Sequence, residues 1–573
     1  MKIKKYKFKK LSAAILCIAL LTACSENTQT QNTKDTANVN ENIEDVSDAS
    51  VHMYEYDEDD YYIDWADQNP NFIKLNGSDI TVEGTGANVD GSTVTVNNEG
   101  VYVVSGKLDD GQIIINSEDK GKVRLVLNGA EINCSNNASI NVISGKTVIS
   151  LEEGTENIVS DGTTYTLEDE TTDEPNSAIF SKEDLTFNGT GTLTVKGNYN
   201  NGITSKDELK ITGGNIIINS ADDALMGRDV VAVKDGEIII QSGGQGIKTT
   251  NDTDAEVGSI YIEGGTLSIE STDDAINAIN GVNIVNGEIT ITTEDDGIHA
   301  DSFIDISGGA INIQKSYEGI ESALVTISDG DINVVSSDDG INIAGGNDSS
   351  SLNGRPGQNN FSSSTATDNK LTINGGNISV NATGDGLDAN GSIYMTGGTV
   401  IVNGPTSNGN GSLDYDGEFN ITGGTIIALG SSGMAQTTSD SSTQNSIMIN
   451  FTEMQKSGTT VHVEDSDGNI IMTFEPEKEY QSLVMSSPSL KLDETYSLFI
   501  NDASTVTFTI SKSVMKISDS GEEITGGGTN QIPGGGKGMA PGGGGNRPAP
   551  GEEDSMPEPG TDGSITTQSE TIN

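Results

Sequence analysis

Apolar and polar residues alternate over short stretches along most of this chain. Ile289 and Ile291, for example, are followed by Ile298 and then by Ile304 and Ile306, with polar residues between them. A period of two predicts short β-strands, and the Gly, Asp and Asn residues between the stretches predict turns. These stretches contain no apolar stripe with a helical period. The pattern therefore predicts an all-β chain built from many short strands.

A phrase of the form Gly-Gly-x-Ile-x-Ile recurs, with substitutions at some positions. The last Gly of each copy falls at Gly214, Gly236, Gly265, Gly287, Gly309, Gly330, Gly376, Gly398 and Gly424. The commonest step is 22 residues, and the step of 46 contains a Ser/Asn/Gly-rich insertion at 345–368. Short strands stacked at a fixed period are typical of solenoids. We predict a right-handed parallel β-helix, because the Gly-rich turns do not suit a leucine-rich horseshoe.

The repeat changes character towards the C-terminus, which sets the domain boundaries. We assign the β-helix to 74–440. Longer alternating stretches predict a small β-sandwich-like cap over 441–515, as a solenoid needs a cap over its last coil. The Gly/Pro/Ser-rich, acidic segment 516–573 predicts a disordered tail.

The N-terminus has the pattern of an export signal. Six lysines within the first ten residues precede the apolar run Leu11–Leu21, which is too short to span a bilayer comfortably. The run ends in Leu-Thr-Ala-Cys24, which resembles a bacterial lipobox, although a chance Cys in an ordinary cleaved signal gives the same letters. We predict a signal over 1–23, lipidation of Cys24 and a flexible acidic tether over 24–73. The expected location is the cell membrane, lipid-anchored and facing outwards.

Composition narrows the possible partners. The chain has 86 Asp and Glu against 30 Lys and Arg, a formal net charge of −56. Such a charge excludes nucleic-acid binding through a basic surface. It also excludes electrostatic binding to an anionic membrane, so the predicted lipid would have to anchor the protein. Only three Cys occur, so no disulfide framework is expected, and Cys134 is predicted to be a small buried residue. Gly-rich composition and 5% aromatics fit a thin aliphatic core, and we expect a monomer.

One turn in each coil carries paired acids, and the copies align on the Ile or Leu that follows. We call this set the acidic ladder; the residues that we assign to metal sites are Asp222, Asp223, Asp273, Asp274, Asp295, Asp296, Asp338, Asp339, Asp385 and Asp388. Gly244-Gln245 interrupts the ladder, and Tyr317-Glu318 alters it.

Stacked carboxylates on this ladder repel one another. At the coil spacing of about 4.8 Å the repulsion is roughly 3.5 kcal/mol for an effective dielectric of ~20. Ca²⁺ binds oxygens at about 2.3–2.6 Å and can bridge two coils, and hard oxygen ligands favour it over Zn²⁺. Asp pairs are also ordinary turn formers that accept backbone N–H groups. Both interpretations of the pairs remain open.

The residue after each aligned Ile or Leu is expected to point outwards, because its neighbour points into the core. This outward row comprises Lys248, Asn277, His299, Glu321, Asn342 and Asp388. Candidate carbohydrate-binding residues are Lys248, Asn277, His299 and Glu321 from the row, together with Tyr317 and Tyr415. The two tyrosines either stack on sugar rings or serve as turn residues, while the only Trp, Trp65, lies outside the coils.

With this repeat and ladder, the chain resembles the bacterial β-helix lipoproteins known as carbohydrate-binding domain-containing proteins. These are similar in fold to calcium-dependent pectate lyases, especially polysaccharide lyase family nine. The resemblance covers about Lys74 to Ile510, and its most specific phrase is Asp295-Asp296-Gly297-Ile298-His299-Ala300. It implies Ca²⁺-assisted binding of a plant-type or acidic polysaccharide.

Three functions are compatible with this resemblance. The first is non-catalytic, Ca²⁺-dependent polysaccharide binding. The second is β-elimination by a lyase, for which Lys248 is the candidate base and Arg228 the nearest Arg. The third is a structural or adhesive role in which Ca²⁺ serves stability alone. Lys248 lies among carboxylates, so neutralisation of those acids is the preferred interpretation.

Overall fold

A computed structural model of the chain describes residues 52–117, 121–167, 171–344 and 369–524. The predicted signal, Cys24, the insertion 345–368 and most of the tail lie outside the described residues. None of the described helices is long and apolar enough to cross a membrane.

Three parallel sheets wind through the coils and form the body of the protein. Sheet one consists of Thr93–Val96, Gln112–Asn116, Ile140–Ser144, Ser177–Ser181, Asn201–Ser205, Leu225–Gly227, Ile247–Thr249, Ile276–Ala278, the first parts of Ile298–Ile306 and Ile320–Ile327, Ile341–Ile343, Leu387–Ala389 and Leu413–Tyr415. Sheet two consists of Thr147–Leu151, Leu185–Gly189, Glu208–Ile211, Val230–Val233, Ser259–Ile262, Gly281–Ile284, the second parts of Ile298–Ile306 and Ile320–Ile327, Lys370–Ile373, Ser392–Met395 and Phe419–Ile421. Sheet three consists of Glu156–Ser160, Thr192–Gly197, Asn215–Ser220, Glu237–Ser242, Thr266–Ser271, Glu288–Thr293, Ala310–Ser316, Asp331–Ser336, Asn377–Ala382, Thr399–Asn403 and Thr425–Gly430.

The first coils are less regular than the rest. Asn71–Gly77, Gly100–Leu108 and Val123–Asn133 are long strands that pair in parallel and run through both sheet two and sheet three. Two short antiparallel pairings precede the regular coils: Asp79–Glu83 with the first of these strands, and Ala87–Asp90 with Thr93–Val96. The coils therefore begin at Asn71, close to the boundary that the sequence predicts.

The core is a stack of aliphatic side chains at equivalent positions of successive coils. Ile276, Ile298 and Ile320, each 22 residues after the last, pair in register and are fully buried. The repeat needs Gly at its turns because successive turns nearly touch. Gly265 has a φ of +85°, and a Cβ there would lie 2.7 Å from the backbone oxygen of Gly236. The predicted all-β parallel β-helix is confirmed.

The C-terminal cap consists of two sheets that share one apolar core. Ser446–Gln455, Tyr480–Ser486 and Val514–Ser518 continue sheet three beyond its last coil, and Tyr480–Ser486 pairs antiparallel with Thr425–Gly430. The second sheet is antiparallel and consists of Ile470–Phe474, Val461–Glu464, Thr495–Ile500 and Ala503–Thr509. The cap covers the open end of sheet three, as a solenoid requires.

Residues 52–70 lie against the coils, whereas the sequence assigns them to a flexible tether. We call this segment the N-terminal strap; it contains a short 3₁₀-helix at Glu58–Asp60. Asp60 is fully buried, with its carboxylate oxygens 3.3 Å from Lys146 Nζ and 3.5 Å from Lys210 Nζ. Thr186 Oγ1 donates a hydrogen bond to the same carboxylate at 2.8 Å. The tether prediction is wrong for this segment, because its acids meet basic side chains from distant coils.

Cys134 is buried and forms no disulfide among the described residues, in agreement with the sequence prediction.

Candidate functional site

Strand register places the acidic ladder on one corner of the β-helix. Leu225, Ile247, Ile276, Ile298, Ile320, Ile341, Leu387 and Leu413 pair in succession along sheet one. The acids that precede them therefore stack at the turn before this sheet, coil upon coil. The residues that follow them also stack, from Met226 at one end to Asp414 at the other.

The second acid of each pair fastens its own turn to the next coil. One oxygen of Asp274, for example, accepts the backbone N–H of Asp296 at 3.1 Å. The equivalent acceptor–donor pairs are Asp223 with Gln245 (3.0 Å), Asp296 with Glu318 (3.1 Å), Asp339 with Asp385 (2.6 Å) and Asp385 with Gly411 (2.5 Å). Turn formation thus accounts for one carboxylate oxygen of each of these acids and leaves the other available.

The remaining oxygen of several acids faces the outward row. Asp223 Oδ2 lies 3.4 Å from Lys248 Nζ, and Asp274 Oδ2 accepts Asn277 Nδ2 at 2.5 Å. Glu318 Oε2 accepts Asn342 Nδ2 at 2.7 Å. The ladder and the outward row therefore form one continuous polar strip.

The outward row is less exposed than the sequence predicts, because two of its six residues are buried and the other four are half-buried. Glu321 and Asn342 are only 2% and 3% exposed, and the His299 side chain is 14% exposed. Adjacent coils and the acids of the turn cover these side chains, which the alternation of strand residues alone does not reveal. Burial makes every unpaired polar atom in this strip costly.

His299 supplies a positive charge in the middle of the strip. Its Nδ1 lies 2.7 Å from Glu321 Oε2 and 3.6 Å from Asp296 Oδ2, and its Nε2 lies 3.4 Å from Asp301 Oδ1. Burial alone would lower the pKa of His299, but hydrogen bonds to Asp296, Asp301 and Glu321 outweigh it and raise that pKa far above neutral pH. The imidazolium therefore compensates the acids of its own and the next coil.

Three groups of side chains bring ligand atoms close enough to hold one metal ion. The first is Asp296, His299 and Glu321, where His299 already provides the positive charge. We call the second group, Asp273, Asp274 and Asp295, site A. The third, Asp339, Asp385 and Asp388, is site B. Within each group the candidate ligand atoms lie within 4.8 Å of one another.

At site B the carboxylates crowd one another. Burial, followed by the charges of Asp388, Asp385 and Asp338, raises the pKa of Asp339 to about 9. Burial also raises the pKa of Asp385 to about 6, although the hydrogen bond that the Gly411 backbone N–H donates to this carboxylate opposes the shift. At neutral pH Asp339 therefore holds a proton unless a cation takes its place.

A glycine and a side-chain amide oxygen lie beside site B. A Cβ at Gly384 would lie 2.3 Å from Asp339 Oδ1 and 2.4 Å from Asp338 Oδ1, so only Gly leaves space for these carboxylates. Asn342, between Glu321 and Asp388 in the outward row, turns its amide nitrogen to Glu318. Its Oδ1 is buried and lacks a hydrogen-bond partner among the described residues. Carboxylate and amide oxygens fit a hard cation.

Site A lies on the other side of the His299 coil. Burial raises the pKa of Asp274, while His299 and the Asn277 amide oppose the shift. Gln245, which interrupts the ladder, donates its amide nitrogen to Asp274 Oδ2 at 3.3 Å. Gln245 Oε1 is buried and has no partner within the described ranges. A positive charge nearby makes site A less demanding of a cation than site B.

The remaining predicted site residues are not joined to these groups. Asp222 is exposed, and Asp338 lies beside site B without being one of its three members. Tyr317 is hydrogen-bonded to Asp338; burial first, and then this bond, raise the pKa of its phenol. Tyr415, the last residue of the strand Leu413–Tyr415, packs against the aliphatic core and donates to the Thr437 carbonyl at 2.6 Å.

Lys248 and Arg228, the candidate base and the Arg nearest to it in sequence, each lie beside an acid. Lys248 is held beside Asp223, which is the neutralising contact. Arg228 lies 3.5 Å from Asp229 and outside the ladder.

Gln245, Glu318 and Asp414 were not assigned to the site from the sequence, although they occupy ladder or row positions. The alignment on Ile and Leu contained the signal: Gln245 and Glu318 stand where other coils have the second Asp, and Asp414 follows Leu413. Glu318 belongs to the buried acids, because burial and then Glu321, Asp296 and Asp339 raise its pKa.

Fold and site together define a parallel β-helix protein with a corner strip of oxygen ligands. Residues 90–340 match the family model described as carbohydrate-binding domain-containing protein. A carbohydrate-binding domain-containing protein of Acetivibrio thermocellus is 39% identical over 139 residues, which are 23% of this chain and 49% of that protein. The chain thus spans about half the length of this curated relative. These matches confirm the resemblance to this family.

A solved structure is also similar to part of the chain. It is a gadolinium derivative of the polysaccharide lyase-like protein from C. thermocellum, with 32% sequence identity. The similarity covers 45% of this chain and 99% of that chain, with a TM-score of 0.37.

Proposed function

We propose that this chain is a calcium-dependent, non-catalytic polysaccharide-binding lipoprotein of the bacterial cell surface. The single observation that carries the calcium part is site B, where carboxylate oxygens of Asp339, Asp385 and Asp388 lie within 4.8 Å of one another. The buried oxygen of Asn342, which accepts no hydrogen bond within the described residues, adds to it. The family match of residues 90–340 supports the carbohydrate part.

Calcium suits these ligands better than other common metals do. All candidate ligand atoms of sites A and B are carboxylate oxygens, which are typical for Ca²⁺ and poor for Zn²⁺. Ca²⁺ takes about six to eight oxygens, and three carboxylates with one amide do not complete this number. A polysaccharide could fill the open positions with its hydroxyl or carboxylate oxygens. The carboxylates of Asp339, Asp385 and Asp388 would hold the ion. The amide oxygen beside them would be that of Asn342.

The contacts of Lys248 favour binding over lyase chemistry. Lys248 Nζ pairs with Asp223 at 3.4 Å, and its role is to neutralise the ladder where Gln245 leaves a gap in the acids. The lipid anchor at Cys24 and the outward-facing location rest on the sequence of the N-terminus.

The test is a glycan array probed with the purified full chain, once in Ca²⁺ and once after treatment with a chelator. Binding of a plant-type or acidic polysaccharide in Ca²⁺ alone is expected. Equal binding in both conditions would contradict the role of calcium. A parallel ultraviolet assay with polygalacturonate follows unsaturated products, and their appearance would overturn the non-catalytic part of the proposal.

A further inference from the structure

Two tyrosines stand on the ladder corner, one coil before its first acids. Asp222 N donates to the Asn200 carbonyl at 3.0 Å, and Asp223 N donates to Asn201 Oδ1 at 3.2 Å. Asn200 and Asn201 therefore occupy the positions of the paired acids in the preceding coil. Tyr199 comes directly before them, so its ring lies at the N-terminal end of the strip.

The ring of Tyr199 stacks on that of Tyr165. The two ring centroids are 4.1 Å apart and the planes are inclined by only 13°. Both residues are partly exposed, and neither is among the buried core residues of the part of the chain described. The pair is thus an aromatic surface that does not serve the aliphatic core, in contrast to Tyr415.

Hydrogen bonds hold the pair rigidly in place. The Tyr165 hydroxyl lies within hydrogen-bonding distance of two acceptors, Asp161 Oδ2 at 2.7 Å and the Ser177 carbonyl at 2.9 Å. Asp161 Oδ1 accepts the backbone N–H of Asn198, the residue before Tyr199, at 2.5 Å. One carboxylate therefore joins the loops that carry the two rings. A fixed aromatic surface loses little conformational entropy when a ligand binds.

We infer, on the basis of the proposed function, that the Tyr165–Tyr199 pair is a stacking platform for a pyranose ring of the bound polysaccharide. The apolar C–H face of a sugar ring is complementary to an aromatic face. Three coil steps of about 4.8 Å separate the platform from site A, a distance of roughly 14 Å. A polysaccharide that lies along the strip can therefore contact the platform and the calcium sites together.

The experiment uses the full chain, saturating Ca²⁺ and a panel of polygalacturonate, xylan and mixed-linkage β-glucan. The polysaccharide that binds the wild type most tightly is titrated calorimetrically into Tyr199→Ala, Tyr199→Phe and Tyr394→Ala. Tyr394 is the matched control, because its hydroxyl bonds Glu418 on sheet two, away from the corner. We expect about tenfold weaker binding by Tyr199→Ala, and affinities within about twofold of wild type for the other two.

Calcium binding is measured for each variant and is expected to remain as in the wild type. Wild-type affinity of Tyr199→Ala would overturn the platform and leave the proposed function standing. Failure of the wild type to bind any of the polysaccharides would overturn both. Tyr199→Leu replaces Tyr199→Ala if the latter does not fold, because Leu keeps apolar packing on Tyr165 but removes the aromatic face; the same two outcomes decide.

Discussion

His299 Nδ1 lies 2.7 Å from Oε2 of Glu321, which follows His299 in the outward row on the next coil. This ion pair stands between two groups of carboxylates, site A and site B, and supplies the counter-charge that its coil needs. At site B, burial and then the carboxylates of Asp388, Asp385 and Asp338 raise the pKa of Asp339. The protein thus combines an internal cation at one level of the ladder with candidate calcium sites on either side.

Replacement of His299 by Gln is expected to destabilise the protein by about 3 kcal/mol. Removal of one partner from a buried ion pair leaves the other charge uncompensated, here Glu321 and Asp296. Thermal unfolding in the presence of a chelator measures the loss. Lys315→Ala is the control, since its pair with Glu294 is exposed and should matter little. Equal melting temperatures for His299→Gln and wild type would contradict the role of His299.

Replacement of Asp339 by Asn should have opposite effects without and with calcium. The amide oxygen can still accept the backbone N–H of Asp385. Asn needs no proton, whereas Asp339, with a pKa raised to about 9, must take one up when the metal-free protein folds at neutral pH. Without calcium the variant is expected to be more stable than wild type by about 1 kcal/mol. With calcium it should bind one ion fewer and gain less stability. Calcium titration and thermal melts of both forms measure this.

Asp222→Asn provides the comparison for site B, because Asp222 is exposed and belongs to none of the three groups. Its calcium stoichiometry should equal that of wild type. A lower stoichiometry in Asp222→Asn, or an unchanged one in Asp339→Asn, would place the ion elsewhere.

Stability is expected to fall as the pH rises from about 4 to 6 because of Asp207. Burial first, and then the charges of Asp184, Asp229 and Glu208, raise the pKa of Asp207 to about 6. The folded state therefore binds a proton more tightly than the unfolded state, whose carboxyl titrates near pH 4, so deprotonation across this window costs stability. Denaturant melts of wild type and Asp207→Asn at several pH values test this. The variant should lack this contribution to the slope; identical slopes would show that Asp207 does not cause it.

Replacement of Asp60 by Ala should loosen the N-terminal strap. The substitution leaves Lys146 and Lys210 without a buried carboxylate partner and removes the acceptor of Thr186. We expect a loss of about 3 kcal/mol and faster proteolysis within residues 52–70. Asp59→Ala is the matched control, because the neighbouring Asp59 forms only an exposed pair with Lys122. Equal protease resistance of the two variants would contradict the role of Asp60 in holding the N-terminal strap.

The coils and the position of the ladder could be predicted from the sequence because both depend on a repeat. The 22-residue step aligns Ile276 with Ile298, and the acids before them follow automatically. The strap could not be predicted, since an acidic run such as that around Asp60 has the composition of a solvated segment. Its partners Lys146 and Lys210 are distant in the chain and come together only in the folded coils.

Burial was the other property that the sequence did not disclose. Strand alternation places Glu321 and Asn342 on the outer side of sheet one, yet both are covered by neighbouring residues. The stacked pair of Tyr165 and Tyr199 was missed because Tyr165 lies on a loop without the repeat. Tyr199 could have been found by extending the ladder alignment back by one coil.

The most direct test is calorimetric titration of the tightest-binding polysaccharide into the metal-free full chain, followed by the same titration after addition of Ca²⁺. Calcium-dependent binding predicts no detectable heat of binding without metal, saturable binding with Ca²⁺, and its loss when a chelator is added. Saturable binding of equal affinity in the metal-free and calcium-loaded protein would contradict the central claim.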